Sequence, residues 1–126
     1  MRMTAPLTAV ALGALLLGAP SATAAPAKAA CSPVAYLGKQ ICLTVTSSTV
    51  TATLTVDSGG RGWYGQVEID GPHGKLLRTG DHGLGAPATW SNSHATDGAG
   101  RYCAIDWRWD VYHDTYFTEA SVCLTV

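Results

Sequence analysis

The chain has 126 residues, 47% of them hydrophobic and 8% aromatic, and its eight basic and nine acidic residues leave a net charge of −1. A charge this close to balance, with no basic cluster along the sequence, argues against nucleic acid as a partner. The pattern also lacks the basic amphipathic helix that binds membrane surfaces. The length suits one small domain.

The first 24 residues have the pattern of a secretory signal peptide. Arg2 gives the positive start, and the apolar run of residues 5–19 is shorter than the ~20 residues that a membrane-spanning helix needs. Ala22-Thr23-Ala24 fits a small-x-small cleavage site, so we predict cleavage after Ala24. The mature protein is therefore expected to be secreted.

The mature chain is predicted to fold as one domain behind a short arm. Residues 25–30, APAKAA, are small and indicate a flexible N-terminal arm, and residues 31–126 follow without a repeat or linker. Thr49 to Val56, TVTATLTV, alternates apolar and threonine side chains and gives the clearest strand.

Turn sequences recur roughly every 8–12 residues, and no helical period is present. The predicted strands are residues 40–46, 49–56, 63–70, 75–79, 88–92, 103–111 and 116–126. We therefore predict an all-β fold, a single antiparallel β-sandwich of about seven strands.

Export together with four cysteines predicts two disulfides. The pairing Cys31–Cys42 with Cys103–Cys123 is favoured because the first bridge closes a short loop and the second clips a hairpin. One objection is that Cys123 points outward in its strand while Cys103 shares a face with large apolar residues, which would need a bulge. Pairing of Cys42 with Cys123 stays open as the alternative.

The last third of the chain predicts a terminal hairpin. Every second residue is large and apolar along Cys103, Ile105, Trp107, Trp109 and Val111. A period of two predicts a strand, with Trp107 and Trp109 in the core. The residues between them, Asp106, Arg108 and Asp110, are then expected to form an exposed strip.

No arrangement of residues predicts catalysis, a metal site or a cofactor. The four histidines, His73, His82, His94 and His113, all lie in predicted turns or loops. None has the spacing of paired metal ligands, and no Gly-x-Ser-x-Gly motif is present. Asp106 and Asp110 could act as a glycosidase pair, but Arg108 between them favours a solvated ladder. We predict that the protein is not an enzyme.

Aromatic residues provide the remaining functional signal, because exposed aromatics on a rigid sheet are used in recognition. Tyr112 and His113 lie in the predicted turn of the terminal hairpin, and Arg108 supplies a planar donor. We predict that these three residues bind a partner. A sugar-binding module stays an alternative to a protein-binding one.

The triplet Trp107-Arg108-Trp109 resembles the Trp-Arg-Tyr triplet of small bacterial proteinaceous α-amylase inhibitors. That family is also secreted and all-β with two disulfides, but its triplet lies in a turn between the first two cysteines. The resemblance implies a secreted inhibitor of a hydrolase, an α-amylase or a protease, as an alternative function.

Three further stretches are Gly65-x-Val67-x-Ile69-x-Gly71-Pro72-x-Gly74, Gly100-x-Tyr102-Cys103-Ala104-x-x-Trp107 and Val122-Cys123. Together they resemble small secreted actinobacterial β-proteins, and are most similar to the adaptor subunit of umbrella toxin particles. The resemblance implies a non-catalytic adaptor that joins a lectin-bearing subunit to a large, repeat-built antibacterial toxin subunit. It further implies that the arm, with Ala25, Pro26 and Lys28, occupies the degenerate trypsin-like cleft of the lectin-bearing subunit.

Overall fold

The computed structural model describes residues 27–35 and 37–126. The predicted signal peptide, Ala25 and Pro26 lie outside the described residues. The described chain forms nine strands: β1 (Lys28–Cys31), β2 (Lys39–Val45), β3 (Thr49–Val56), β4 (Trp63–Gly71), β5 (Gly74–Arg78), β6 (His82–Leu84), β7 (Ala88–Ala95), β8 (Arg101–Asp110) and β9 (Thr115–Thr125).

The strands form two antiparallel sheets. The first has the order β1-β2-β3-β7, and the second has the order β5-β4-β8-β9, with the short β6 also paired to β4. The predicted all-β sandwich is confirmed. The count rises from about seven strands to nine because β1 and β6 are short pairings within segments that carry no alternation of their own.

The core lies between the sheets, where alternation points apolar side chains of both sheets inward. In β3 the residues Val50, Ala52, Leu54 and Val56 are buried and the threonines between them are half-buried on the outer face. The rest of the core is formed by Ile41, Leu43, Val45, Trp63, Val67, Ile69, Tyr102 and Ala104.

The described part of the predicted arm is a strand. Lys28 to Cys31 pairs antiparallel with β2, from Lys28 opposite Val45 to Cys31 opposite Cys42. The prediction of a flexible arm is therefore wrong for residues 28–30, because β2 offers an open edge whose backbone groups these residues satisfy.

The predicted orientation of β8 is also wrong. Tyr102, Ala104 and Asp106 are buried, whereas Trp107 and Trp109 are half-buried on the outer face. The predicted exposed strip therefore lies on the inner side of the strand. Aromatic side chains on the outer face are partly covered by polar neighbours that pack on them. Side-chain size and hydrophobicity alone therefore assign β8 residues to the wrong face of the sheet.

Both disulfides form as predicted, between Cys31 and Cys42 and between Cys103 and Cys123. Because the inner face of β8 carries the even-numbered residues, Cys103 points outward like Cys123, and the two lie directly opposite in the register. No bulge is needed between them. A bulge does occur further along, where Asp106 faces Ala120 and Trp107 faces Thr118, which leaves Glu119 as the extra residue.

The sandwich has two distinct ends. The hairpin end carries the β1–β2, β3–β4, β6–β7 and β8–β9 connections, as the pairing of Lys39 with Val56 and of Val56 with Ala88 shows. The terminal end carries the β2–β3 and β7–β8 connections together with Lys28 and Val126. There the Lys28 Nζ donates to the Thr125 carbonyl at 3.1 Å.

Candidate functional site

Exposed hydrophobic side chains are concentrated at the hairpin end. Within residues 27–35 and 37–126, the exposed large hydrophobics are Val34, Tyr64, Val111, Tyr112 and Phe117. Val34 lies in the β1–β2 connection, Tyr64 at the start of β4, and the other three in or beside the β8–β9 turn. We call these five residues the tip surface. Tyr112 is its most exposed member, at 93%.

The β8–β9 turn is held in shape by Asp110. Its Oδ1 accepts hydrogen bonds from the backbone N–H of Tyr112 at 2.9 Å and of His113 at 3.3 Å. Its Oδ2 lies 2.6 Å from His113 Nδ1, and this bond lowers the pKa of Asp110. Asp114 completes the turn with a φ of 53°, in the left-handed region that Asp tolerates. The turn therefore presents Val111 and Tyr112 on a fixed backbone.

A cleft of about 490 Å³ opens beside this turn. It is lined by Gly62, Trp63, Tyr64, Gly83, Leu84, Arg108, Trp109 and Val111. Arg108 is the one charged residue among them, and Tyr64 and Val111 belong to the tip surface as well. The cleft thus shares two residues with the tip surface and places a cation next to them.

Arg108 is anchored below the cleft by a buried carboxylate. Its NH1 group lies 3.3 Å from Glu119 Oε1, and the same oxygen lies 3.4 Å from Lys39 Nζ. Lys39 is fully buried, so its ammonium requires this partner. The bulge in β9 turns Glu119 inward to meet both cations.

A second acid, Asp106, is buried next to this group. Its Oδ1 accepts a 2.6 Å hydrogen bond from the indole N–H of Trp63. Burial raises the pKa of Asp106 to about 7, and the neighbouring Glu119 adds to the rise through its charge and a side-chain hydrogen bond. A protonated Asp106 can therefore donate to Glu119, the acid that also contacts Lys39 and Arg108.

The outer face of the second sheet carries a separate polar network. The guanidinium of Arg78 lies 4.7 Å from the ring centre of Trp107 and 5.7 Å from that of Tyr116. The Tyr116 hydroxyl donates to Asp81, and Gln66 Nε2 donates to Asp81 at 2.9 Å. These bonds lower the pKa of Asp81 and hold the β5–β6 connection against the sheet.

Glu68 extends this network on the same face. Burial acts to raise the pKa of Glu68, but hydrogen bonds from Lys75 and Trp107 outweigh it and lower the pKa. The Lys75 ammonium lies 2.8 Å from Glu68 Oε1, and the Trp107 indole donates to Oε2 at 3.0 Å. Every polar group of Trp107 is thus already satisfied within the protein.

The structure brings together three of the predicted partner-binding residues. Arg108, Tyr112 and His113 all lie at the hairpin end, in the cleft and the turn beside it. Lys28 lies at the terminal end and is exposed, while Ala25 and Pro26 are outside the described residues. Arg108 and Trp109 line the cleft, whereas the Trp107 side chain packs under Arg78 and bonds to Glu68 on the outer face, so the triplet does not form one continuous surface.

Three residues of the site were missed by the sequence analysis: Lys39, Trp63 and Glu119. Each lies on a different strand, and Lys39 and Glu119 are 80 residues apart in the chain. The one available signal was a charged residue at an inward position, Lys39 beside Ile41 in an alternating strand, which requires a buried partner.

Two further findings concern the type of protein and the redox environment in which it folds. The described residues contain no helix that could cross a bilayer, and they contain no group of three or more His, Cys, Asp or Glu side chains placed to hold a metal ion. Both disulfides are formed, which indicates an extracellular or otherwise oxidising environment.

The chain was compared with known proteins at the level of family, sequence and structure. No protein-family model, no curated protein and no solved structure matches it.

Proposed function

We propose that this chain is a secreted, non-catalytic adaptor that binds two protein partners through opposite ends of its sandwich. The observation that supports this most is the tip surface, because it contains every exposed large hydrophobic side chain of the described residues. Exposed apolar side chains that gather at one end of a small protein indicate an interaction site. Tyrosine and phenylalanine are effective anchors in such sites.

The terminal end provides the second attachment point. Lys28 lies there at the start of β1. The Lys28 ammonium is exposed and bonded to the Thr125 carbonyl, a bond that a partner can replace at small cost. Because the two ends are opposite, one partner at each end would not exclude the other.

The resemblance to umbrella toxin adaptors gives these two surfaces specific partners. The N-terminal segment that includes Ala25, Pro26 and Lys28 would bind the degenerate trypsin-like domain of the lectin-bearing subunit. The tip surface, with Arg108, Tyr112 and His113, would bind the large repeat-built toxin subunit. The protein would then act in an antibacterial complex outside the cell.

A non-catalytic role is consistent with the two buried acids. Asp106 is 0% exposed and the Glu119 side chain 9%, so neither carboxyl group can reach a substrate. Trp63 donates to Asp106 Oδ1, and Lys39 and Arg108 contact Glu119 Oε1, so both acids belong to one buried cluster. Catalysis by this pair would require the sandwich to open.

Inhibition of a hydrolase is the second candidate, and the rigid β8–β9 turn favours it. The turn is braced by Asp110 and projects two exposed apolar side chains, Val111 and Tyr112, as an inhibitory loop does. Such a loop needs one partner, whereas the adaptor needs two.

Purification of the native protein from culture medium separates the candidates. An adaptor elutes with a lectin-bearing subunit and a repeat-built subunit in fixed proportion. Tyr112→Asp should release the repeat-built subunit and keep the lectin-bearing one, and Lys28→Ala should do the reverse. A lone monomer that inhibits an amylase or a protease would reject the adaptor in favour of the inhibitor.

A further inference from the structure

We propose that the cleft beside Arg108 binds the carboxy-terminal residue of a partner polypeptide, with its carboxylate on the guanidinium and an apolar last side chain against the cleft walls. This inference rests on the proposed function only in taking the partner to be a protein. It adds a defined chemical group to the tip surface, which otherwise offers apolar contact alone.

The guanidinium of Arg108 has donors available for a ligand. Among the described residues its hydrogen-bond partner is Glu119, through NH1 at 3.3 Å. A guanidinium carries five N–H donors in a planar fork, and this side chain is 29% exposed. The remaining donors suit a carboxylate, which accepts two parallel hydrogen bonds from such a fork.

The charges around Arg108 favour an anion at this position. Two cations, Arg108 and Lys39, share the single carboxylate oxygen Oε1 of Glu119. The other acid of the cluster, Asp106, has a pKa raised to about 7 by burial and so carries little charge in mildly acidic solution. Under those conditions the cluster below the cleft has a net positive charge that an anionic ligand would balance.

Apart from Arg108 and two glycines, the cleft is lined by apolar and aromatic residues. Leu84, Trp109 and Val111 line it together with Trp63 and Tyr64. Its volume of about 490 Å³ lies within the roughly 300–1,000 Å³ of typical ligand sites.

A chain terminus fits this combination better than an internal segment does. A terminal residue carries its carboxylate on the same carbon as its side chain, so a cation and an apolar wall lying side by side recognise both groups at once. A side-chain carboxylate of Asp or Glu brings no adjacent apolar group. The exposed Val111 and Tyr112 extend the apolar surface beyond the cleft, where the preceding residues of a polypeptide would lie.

The test uses the purified protein at pH 6 and an acetylated hexapeptide that ends in leucine. The peptide is prepared with a free carboxylate and with a carboxamide, and binding is followed by NMR chemical-shift titration. We expect the free acid to bind about tenfold more tightly than the amide, because the charge-assisted pair with Arg108 is lost in the amide. Arg108→Gln should abolish this difference.

A second variant keeps the test valid if Arg108→Gln fails to fold. Val111→Asp leaves Arg108 and its buried partners in place and puts a carboxylate on an exposed residue of the cleft lining, where it repels an anionic ligand. It should abolish peptide binding. Arg78→Gln removes a guanidinium from the outer face of the second sheet and should leave binding unchanged.

Three results would overturn the proposal: equal binding of acid and amide, binding of the free acid retained by Val111→Asp, or N-acetyl-leucine binding as tightly as the hexapeptide. The last would assign the cleft to small free acids instead of polypeptide ends. Because these titrations use the isolated protein and defined peptides, their failure leaves the adaptor proposal to be decided by co-purification.

Discussion

The indole N–H of Trp63 donates a 2.6 Å hydrogen bond to the carboxyl group of Asp106, which is fully buried. This bond joins β4 to β8 at the floor of the hairpin end, directly below the cleft. Glu119 is the other neighbour of Asp106, and its carboxylate contacts Lys39 and Arg108. The tip surface is therefore supported by a buried polar cluster and not by apolar packing alone.

Loss of this bond should destabilise the fold. Trp63→Phe removes the donor and leaves a buried carboxyl oxygen without a partner, which typically costs about 1–3 kcal/mol. Urea unfolding measures the change. Trp90→Phe is the matched control, because the Trp90 indole makes no hydrogen bond within the described chain, and it should cost less. Equal losses in the two variants would show that the bond contributes nothing beyond packing.

The raised pKa of Asp106 predicts a pH dependence of stability. An unfolded aspartate has a pKa of about 4, whereas Asp106 in the folded protein has a pKa of about 7. Between these values the folded state holds a proton that the unfolded chain has released. The free energy of unfolding contributed by Asp106 therefore falls as pH rises from about 4 to about 7, by an amount on the order of a few kcal/mol.

Asp106→Asn isolates this contribution, because the amide does not titrate. Unfolding free energies of the two proteins, measured by urea titration at several pH values, should differ by an amount that changes across this window. Parallel pH profiles for the wild type and the variant would show that Asp106 has no raised pKa.

Gly65 lies where β4 approaches β8 closely. A Cβ at this position would overlap the carbonyl oxygen of Trp107 and lie 3.0 Å from Arg108 Cα. Gly65→Ala should therefore lower the free energy of unfolding by roughly 1–3 kcal/mol. Gly59→Ala is the matched control, since nothing lies within 4 Å of a Cβ there, and it should change stability by less than about 0.5 kcal/mol. Similar values for both would contradict the close approach.

The Cys103–Cys123 disulfide should contribute substantially to stability. It spans 20 residues of sequence, and closing a loop of this size stabilises a fold by about 3 kcal/mol in the chain-entropy model. The double variant Cys103→Ala/Cys123→Ala should lose about that amount in chemical denaturation. A loss below about 1 kcal/mol would indicate that the β8–β9 pairing is rigid without the bridge.

The fold was predictable from sequence where strands are regular and separate apolar from polar faces. β3 is the clearest case, since its threonines alternate strictly with Val50, Ala52, Leu54 and Val56. The disulfide pairing was also predictable, because each bridge joins two strands that are neighbours in the sheet. β8 was misassigned because its inner face ends in Asp106 and Arg108, and only a buried network formed with other strands explains charged residues at those positions.

The candidate site was predictable only in part, for a related reason. Tyr112 and His113 were placed in a turn by local sequence, and Arg108 was recognised as a planar donor. The cleft depends on β4, β6 and β8 meeting, and Lys39 reaches Glu119 across the sandwich. Contacts between residues far apart in the chain leave no periodic pattern in the sequence. The one-residue bulge that turns Glu119 inward leaves no such pattern either.

The tip surface is the feature on which the proposed function depends most. Val111→Asp and Tyr112→Asp place a charge on exposed side chains, so the free energy of unfolding should change by less than about 0.5 kcal/mol. Ala95→Asp, at an exposed position near the terminal end, is the matched control.

The most direct measurement is the affinity of these three variants for the repeat-built subunit that the adaptor proposal assigns to the tip surface, determined by surface binding kinetics. We expect the two tip variants to weaken binding at least about tenfold, as the loss of a buried anchor does. Ala95→Asp should bind like the wild type. Wild-type affinity in both tip variants would contradict a protein-binding role for the tip surface.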